Sequence, residues 1–466
     1  MKKLALLLFI FSNMAFAAGG GAPHLDGADL SIYWVIPFAG ILLSIAIFPL
    51  VAPHFWHHHF GKISAFWAVL LIVPFLFKAG FSITLYELVH VGLLEYVPFI
   101  ILLLSLFTIS GGVQLTGSLV GKPIVNTGVI FIGTILASWM GTTGAAMLLI
   151  RPLIRANKYR EKKVHVIVFF IFLVANIGGS LTPLGDPPLF LGFLKGVDFF
   201  WTTSAMFVPM LFLAVCLLAI FFALDTYLYN KESSHPITDS PEKLGLKGSF
   251  NLILLLGVIG GVLLSGFWRP HISFEVYHVH LELQNIVRDV LLLGFTVASW
   301  KMTSQSIRKA NEYTWFPIVE VAKLFAGIFI TIIPAIAILK AGADGALSAI
   351  ISSVSNEAGP INYMYFWATG ILSSFLDNAP TYLVFFNTAG GDPSVLMGDL
   401  SQTLLAISAG AVFMGANTYI GNAPNFMVKS ISESSGIEMP SFFGYFFKWS
   451  VPILIPLFIL VSLIFF

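Results

Sequence analysis

The chain reads as a succession of long apolar runs separated by short polar stretches. Uninterrupted runs lie near 33–52, 63–79, 92–110, 201–225, 249–267, 286–300, 317–340 and 444–466. They are of the length a helix needs to cross about 30 Å of hydrocarbon. Four more apolar stretches, 124–156, 164–196, 361–387 and 402–428, are interrupted by Gly, Pro, Asn and Thr. Only helices or closed barrels satisfy their own backbone inside a bilayer, and barrel strands alternate in short segments. These runs are continuous, so the pattern predicts an all-α membrane protein.

Basic residues orient the runs, because loops rich in Lys and Arg stay in the cytoplasm. Arg151, Arg155, Lys158, Arg160, Lys162 and Lys163 place 151–163 inside, as do Lys301, Arg308 and Lys309 for their loop and the polar stretch 230–247. Residues 341–361 carry no Lys or Arg and read as outside. Threading the chain from an outside N-terminus makes 124–156 a re-entrant hairpin from the inside and 361–387 one from the outside. Stretches 164–196 and 402–428 become crossings with a break. The expectation is about 10 transmembrane helices plus two re-entrant hairpins in two inverted-topology repeats, 30–228 and 248–466, joined by a cytoplasmic linker at 229–247.

The halves also match by spacing. Ser138 begins SWMGTTGAA and Ser374 begins SFLDNAPTY; Gly179 begins GSLTPLGDPPLF and Gly415 begins GANTYIGNAPNF. Both pairs are separated by 236 residues, the separation of Asp186 from Asn422. Interrupted helices at corresponding positions of inverted repeats point to a transport site at the midplane. A break frees N–H and C=O groups that need partners, and an ion or substrate can be that partner.

Composition narrows the class. Hydrophobic residues make up 57% and charged residues 10% of 466, against about 25% charged in soluble domains. The net charge of +1 is uninformative about nucleic acid, for which the sequence shows no basic arm or large basic patch, and one cysteine, Cys216, permits no intrachain disulfide. Lys2, Lys3, the apolar Leu4–Phe11 and Ala15-Phe16-Ala17 read as a signal peptide over 1–17, consistent with a multi-pass protein of the bacterial inner membrane.

Two carboxylates fall in the breaks: Asp186 in the first crossing and Asp377 at the second hairpin tip. A carboxylate at this depth is costly unless paired or solvated, which marks it as functional. Burial favours the protonated form and a bound cation the ionised one, so one carboxylate can exchange H⁺ for a transported Na⁺. Thr142, Thr143, Ser180, Thr182, Asn378, Thr381, Asn417, Thr418 and Asn422 surround them with oxygens suited to a hard cation. Asn176, just before the first break, is a further candidate. Glu320 and Lys323, three apart on one helix, are placed to pair; Glu95 reads as a residue near the membrane interface, with a proton relay as the alternative. His54, His57, His58 and His59 fall in the first inside loop. No His-Glu-x-x-His or intramembrane serine–histidine pair supports an enzyme, and no resident cofactor is implied beyond transported or coupling Na⁺ and H⁺.

At GGSLTPLGDPP (178–188), DNAP (377–380) and GANTYIGNAPN (415–425) the chain resembles the ion transporter superfamily. Its members include sodium/proton antiporters of the NhaD type, arsenite permeases and citrate or dicarboxylate transporters. The resemblance covers most of 30–466. It implies a homodimer in the lipid bilayer, with a scaffold, an elevator-like transport domain and ion sites at hairpin tips and helix breaks. By resemblance Thr142 and Thr143 take the first tip, Thr182 and Asp186 the first break, Asp377 and Asn378 the second tip, Thr418 and Asn422 the second break. One departure stands out: the NhaD-type antiporters carry Asp-Asn at the first tip, where this chain has Gly141-Thr142-Thr143. Sodium (or lithium)/proton antiport is the first reading; a Na⁺- or H⁺-coupled citrate or dicarboxylate symporter is the alternative.

Overall fold

The structure, a computed structural model, describes residues 22–232 and 243–466. The expected signal peptide and the middle of the expected linker lie outside the described residues. The first half contains α1 (Ile36–Val51), α2 (Pro53–Val91), α3 (Val97–Ser110), α4 (Pro123–Met140), α5 (Thr142–Ala156), α6 (Val164–Leu173), α7 (Pro187–Leu194) and α8 (Phe199–Tyr229). The second contains α9 (Phe250–Phe267), α10 (Leu283–Met302), α11 (Phe316–Thr331), α12 (Ile333–Lys340), α13 (Asn362–Phe375), α14 (Asn378–Thr388), α15 (Ser401–Met414) and α16 (Ala423–Ser434), and ends with α17 (Phe442–Phe465). Three small antiparallel strand pairs complete the architecture; one joins 114–116 to 245–247.

Seven helical stretches among the described residues are long and apolar enough to cross a membrane, and α11 with α12 makes an eighth. The ten crossings expected from the sequence do not map one to one onto these stretches: 63–79 and 92–110 both fall within Pro53–Ser110, Pro123–Met140 is an arm of the first expected hairpin, and the expected crossings 286–300 and 402–428 are not among them. The 283–302 helix carries Arg288, Asp289 and Lys301, and the 401–434 crossing is split into short halves. Ile333–Lys340 bends 40° away from Phe316–Thr331. Pro334 sits at the start of α12, where it removes a backbone donor and clashes with the preceding turn.

Two expected loops are helical instead. The histidine segment 54–59 forms the first turns of α2, with His58 Nδ1 2.9 Å from the His54 carbonyl. Residues 81–91 also continue the helix after a sharp break at Gly80, whose φ of 82° suits glycine alone among ordinary residues. A π-helical turn, Gly92–Tyr96, then leads into α3.

The core is continuous and runs through α6 and α15. Every residue of α6 after Val164 is buried, and so is nearly every residue of α15. An all-apolar helix can face lipid as well as protein, so it is this burial that places α6 and α15 at the centre of the bundle. The two helix–break–helix pairs interlock crosswise. α14 of the second hairpin packs on α7 of the first half, and α5 of the first hairpin packs on α16 of the second. α3 packs on α10 and α11 on α2, outside this central group.

At the end read as cytoplasmic, Arg160, Asp225, Glu232 and His165 form an ionic cluster with side chains 0–2% exposed. Arg160 bonds Asp225 at 2.7 Å and Glu232 at 3.0 Å, while His165 Nε2 lies 2.7 Å from Asp225 Oδ1. Asn126 donates to Asp225 Oδ2 at 2.9 Å. The cluster ties the root of the first hairpin to α6, α8 and the start of the linker.

Candidate functional site

Each break follows from local sequence. In the first crossing, helix ends at Leu173, a short 3-10 turn covers Ile177–Leu181, and helix restarts at Pro187. Pro187 and Pro188 occupy the first helical positions, where a missing N–H costs nothing, and Asp186 holds the extended N-cap position. The second crossing repeats this with a 3-10 turn at Gly415–Asn417 and Asn422 as N-cap. The hairpin tips are made by Gly141, with φ of 79°, and by the extended Leu376-Asp377.

The same hydrogen bonds pin both breaks to both tips. Thr182 Oγ1 donates to the Ser138 carbonyl, and Thr418 Oγ1 to the Ser374 carbonyl at 2.5 Å. Ser138 Oγ donates to the Gly178 carbonyl at 2.5 Å, and Ser374 Oγ to the Met414 carbonyl at 3.1 Å. Within each break two glycines touch: a Cβ on Gly185 would lie 2.1 Å from the Gly179 carbonyl oxygen, and one on Gly421 2.6 Å from that of Gly415. All these pairs share the separation of 236 residues.

At the centre lies Asp186, 1% exposed. Its Oδ1 accepts from Asn422 Nδ2 at 2.9 Å and from Thr142 Oγ1 at 3.3 Å; its Oδ2 accepts from Asn378 Nδ2 at 2.7 Å. One carboxylate thus joins both tips and the opposite break. Although Asp186 and Asn422 are N-cap residues, neither side chain caps its own helix. Asp377 does: its Oδ1 accepts from the Ala379 N–H at 3.0 Å, and the carboxylate lines the cavity beside Asn378.

That cavity measures about 110 Å³. One wall is made of Thr142, Thr143, Asp186, Asp377, Asn378 and Asn422, with the flanking Gly and Pro residues. The facing wall is apolar: Leu102, Leu103, Leu106 and Phe107 of α3 with Ile318, Val321 and Phe325 of α11. No Lys, Arg or His lines it. Two buried amide oxygens nearby, Asn176 Oδ1 and Asn378 Oδ1, have no hydrogen-bond partner.

The other residues expected from the sequence stand one step back. Ser180 Oγ donates to the Ile177 carbonyl at 2.9 Å, and Thr381 Oγ1 to the Asp377 carbonyl at 2.9 Å. Thr182 and Thr418 staple breaks to tips. Asn417 donates to Ser374 Oγ at 2.9 Å, leaving its buried Oδ1 without a partner. Asn425 was not foreseen. It accepts from Asn176 Nδ2 at 2.7 Å and donates to the Gly415 and Thr418 carbonyls, both at 2.9 Å. Its place in the GNAPN string was the available signal. Glu320 and Lys323 do not pair: Glu320 accepts from Trp56 Nε1 at 3.2 Å, and Lys323 lies over the Phe60 ring. Glu95 instead pairs with Lys195. Among the described residues no three His, Cys, Asp or Glu side chains gather as a metal site.

A family model described as "Putative citrate transport" matches residues 27–466. No curated protein sequence matches the chain.

Proposed function

The chain belongs to this citrate-transport family, and on that premise we propose that it is a secondary active transporter exchanging Na⁺ or Li⁺ for H⁺ by alternating access. The observation that carries the reading is the composition of the cavity. Two carboxylates, Asp186 and Asp377, share a small buried space with amide and hydroxyl oxygens and no basic side chain. A hard cation is stabilised by such oxygens, and a proton is the other cation a carboxylate takes up. The two compete for one place, which is what exchange requires.

On this reading Asp186, Asp377, Thr142, Thr143, Asn378 and Asn422 face the ion. Ser180, Thr182, Thr381, Asn417 and Thr418 shape its surroundings. Residues 30–228 and 248–466 act as two inverted repeats, supported by the hydrogen bonds that recur at one fixed separation. The chain sits in a bacterial inner membrane as a homodimer, and the apolar wall of α3 and α11 is the surface past which the site moves.

A second reading, Na⁺- or H⁺-coupled uptake of citrate or a dicarboxylate, is favoured by the family description and by the neutral Thr142-Thr143 tip. Four helix N-termini, those of α5, α7, α14 and α16, also meet near the cavity, and such ends favour anionic groups.

Everted vesicles with an imposed proton gradient separate the two. Collapse of the gradient on adding Na⁺ or Li⁺ alone supports exchange. No response to cations alone, with labelled citrate taken up only when Na⁺ or H⁺ is supplied, makes the protein a symporter. Asp377→Asn should abolish ion-driven proton movement while the protein stays folded, since Asn caps a helix as well as Asp does. Full activity in that variant removes Asp377 from the site.

A further inference from the structure

The cavity is bounded by two rods. One is α3, whose residues 102–107 form the apolar wall; the other is α7, whose N-cap is Asp186. Followed toward the end read as outside, each rod ends in a charge. Glu95 lies in the π-helical turn before α3, about 15 Å up the helix from the cavity wall at 1.5 Å per residue. Lys195 ends α7, about 13 Å from Asp186 by the same rise. The two charges meet: Lys195 Nζ donates to Glu95 Oε1.

The surroundings single this pair out. Glu95 is 4% exposed, and its second oxygen, Oε2, is buried without a partner. Glu87, His90 and Lys340 stand within electrostatic reach, as does His24 of Glu87. Lys195 is the member of this group that belongs to the break-bearing body; Glu87, His90 and Glu95 belong to the α2–α3 segment, and Lys340 ends α12. A second, wide cavity lies at the same level, lined by Leu93, Leu94 and Pro98 on one rod and by Phe193, Leu194 and Gly196 on the other side. Phe99 and Leu191 are buried between the two levels.

At the opposite end a second ion pair bridges the same bodies. Arg151 of α5 meets Glu312, just before α11, at 2.9 Å. The Glu312 side chain is 69% exposed, and exposed pairs contribute little because water and salt screen them. Removing one partner of a buried pair leaves the other charge unmatched, so the Glu95–Lys195 pair is the costlier of the two to break.

We infer that Lys195 and Glu95 form a latch that holds the outer end of the transporter closed while the ion cavity is served from the other end. The inference rests on the alternating-access reading above. In the outward-open state the α7 rod moves with its ion site, Lys195 leaves Glu95, and Lys340 remains as the counter-charge of Glu95.

The test uses the full-length protein carrying Cys216→Ser and Leu103→Cys, in right-side-out vesicles, with a membrane-impermeant maleimide. Leu103 lies on the apolar wall and not among the ion-facing groups. Lys195→Met, Lys195→Gln and Glu95→Gln should each raise the rate of labelling from outside by about fivefold, the shift expected when a two-state balance loses a largely buried pair. The charge swap, Lys195→Glu with Glu95→Lys, should return the rate to that of the parent. Arg151→Met should not raise it. Unchanged labelling in the neutral variants overturns the latch. So does loss of folded protein in every neutral variant with rescue by the swap, which assigns the pair to folding alone. Labelling reports conformation and not cargo. A protein silent toward Na⁺ but with latch-dependent labelling would sink the exchange reading and leave the latch standing.

Discussion

Asp186 and Asp377 line one cavity but do different work. Asp186 gathers donors from three separate segments, so it is both a site group and a clasp between the halves. Asp377 spends one oxygen on its own helix and presents its carboxylate to the cavity. Substituting Asp186 by Asn turns an acceptor into a donor where donors already converge. Leaving buried polar groups unmatched costs about 1–3 kcal/mol each. Asp186→Asn should therefore lose transport and also melt at a lower temperature, while Asp377→Asn loses transport at an unchanged melting temperature. Thermal unfolding of the purified proteins, tracked by size exclusion, checks the difference; equal melting of Asp186→Asn and the parent would deny it the role of clasp.

At the scale of elements, what makes the site is the pair of breaks, and each is closed by glycine against glycine. Gly185→Ala places a methyl 2.1 Å from the Gly179 carbonyl oxygen, and Gly421→Ala one 2.6 Å from that of Gly415. Backbone must shift, at the ~1–3 kcal/mol typical of overpacking. Both variants should melt earlier and transport poorly. Gly128→Ala, where a Cβ meets nothing within 4 Å, should be neutral or stabilising. The same assay decides, and tolerance of Gly185→Ala would show that the break is looser than this glycine contact implies. These breaks were legible in the sequence because Gly, Pro and Asn punctuate apolar runs at matching places 236 residues apart, whereas single prolines such as Pro49 and Pro209 sit inside unbroken helices. The helical stretch 81–91 was not. Gly80 looked like the end of a helix, but its backbone angle lets a second helix start directly beyond it. Nor could local spacing find the partner of Glu320, which is Trp56 on another helix, or that of Glu95, which lies 100 residues away. Pairing three residues apart is a local rule that tertiary packing overrides.

For the whole molecule, charged loops and packing agree. Segments read as cytoplasmic meet at the Arg160 cluster; segments read as outside, around Glu95, Lys195 and Lys340, meet at the other end. Single cysteines in place of Lys158 and Glu357, in a Cys216→Ser background, should react with an impermeant thiol reagent from opposite faces of the membrane. Reaction of both from one face would reject the inverted arrangement. The expected order of crossings was drawn from apolar runs and basic loops. The crosswise packing of each hairpin on the other half's broken helix was not, because nothing in either run marks which partner completes it.

One contact carries a consequence for how such a molecule arises. On the two-repeat reading, Asp186 and Asn422 occupy equivalent places in the two halves, and they touch each other. If the halves descend from one duplicated segment, they began with identical residues face to face at that point. Two ionised aspartates there would repel, and two asparagines would bring no charge to the centre. On that descent, a single charge at the centre requires the two copies to differ at this position.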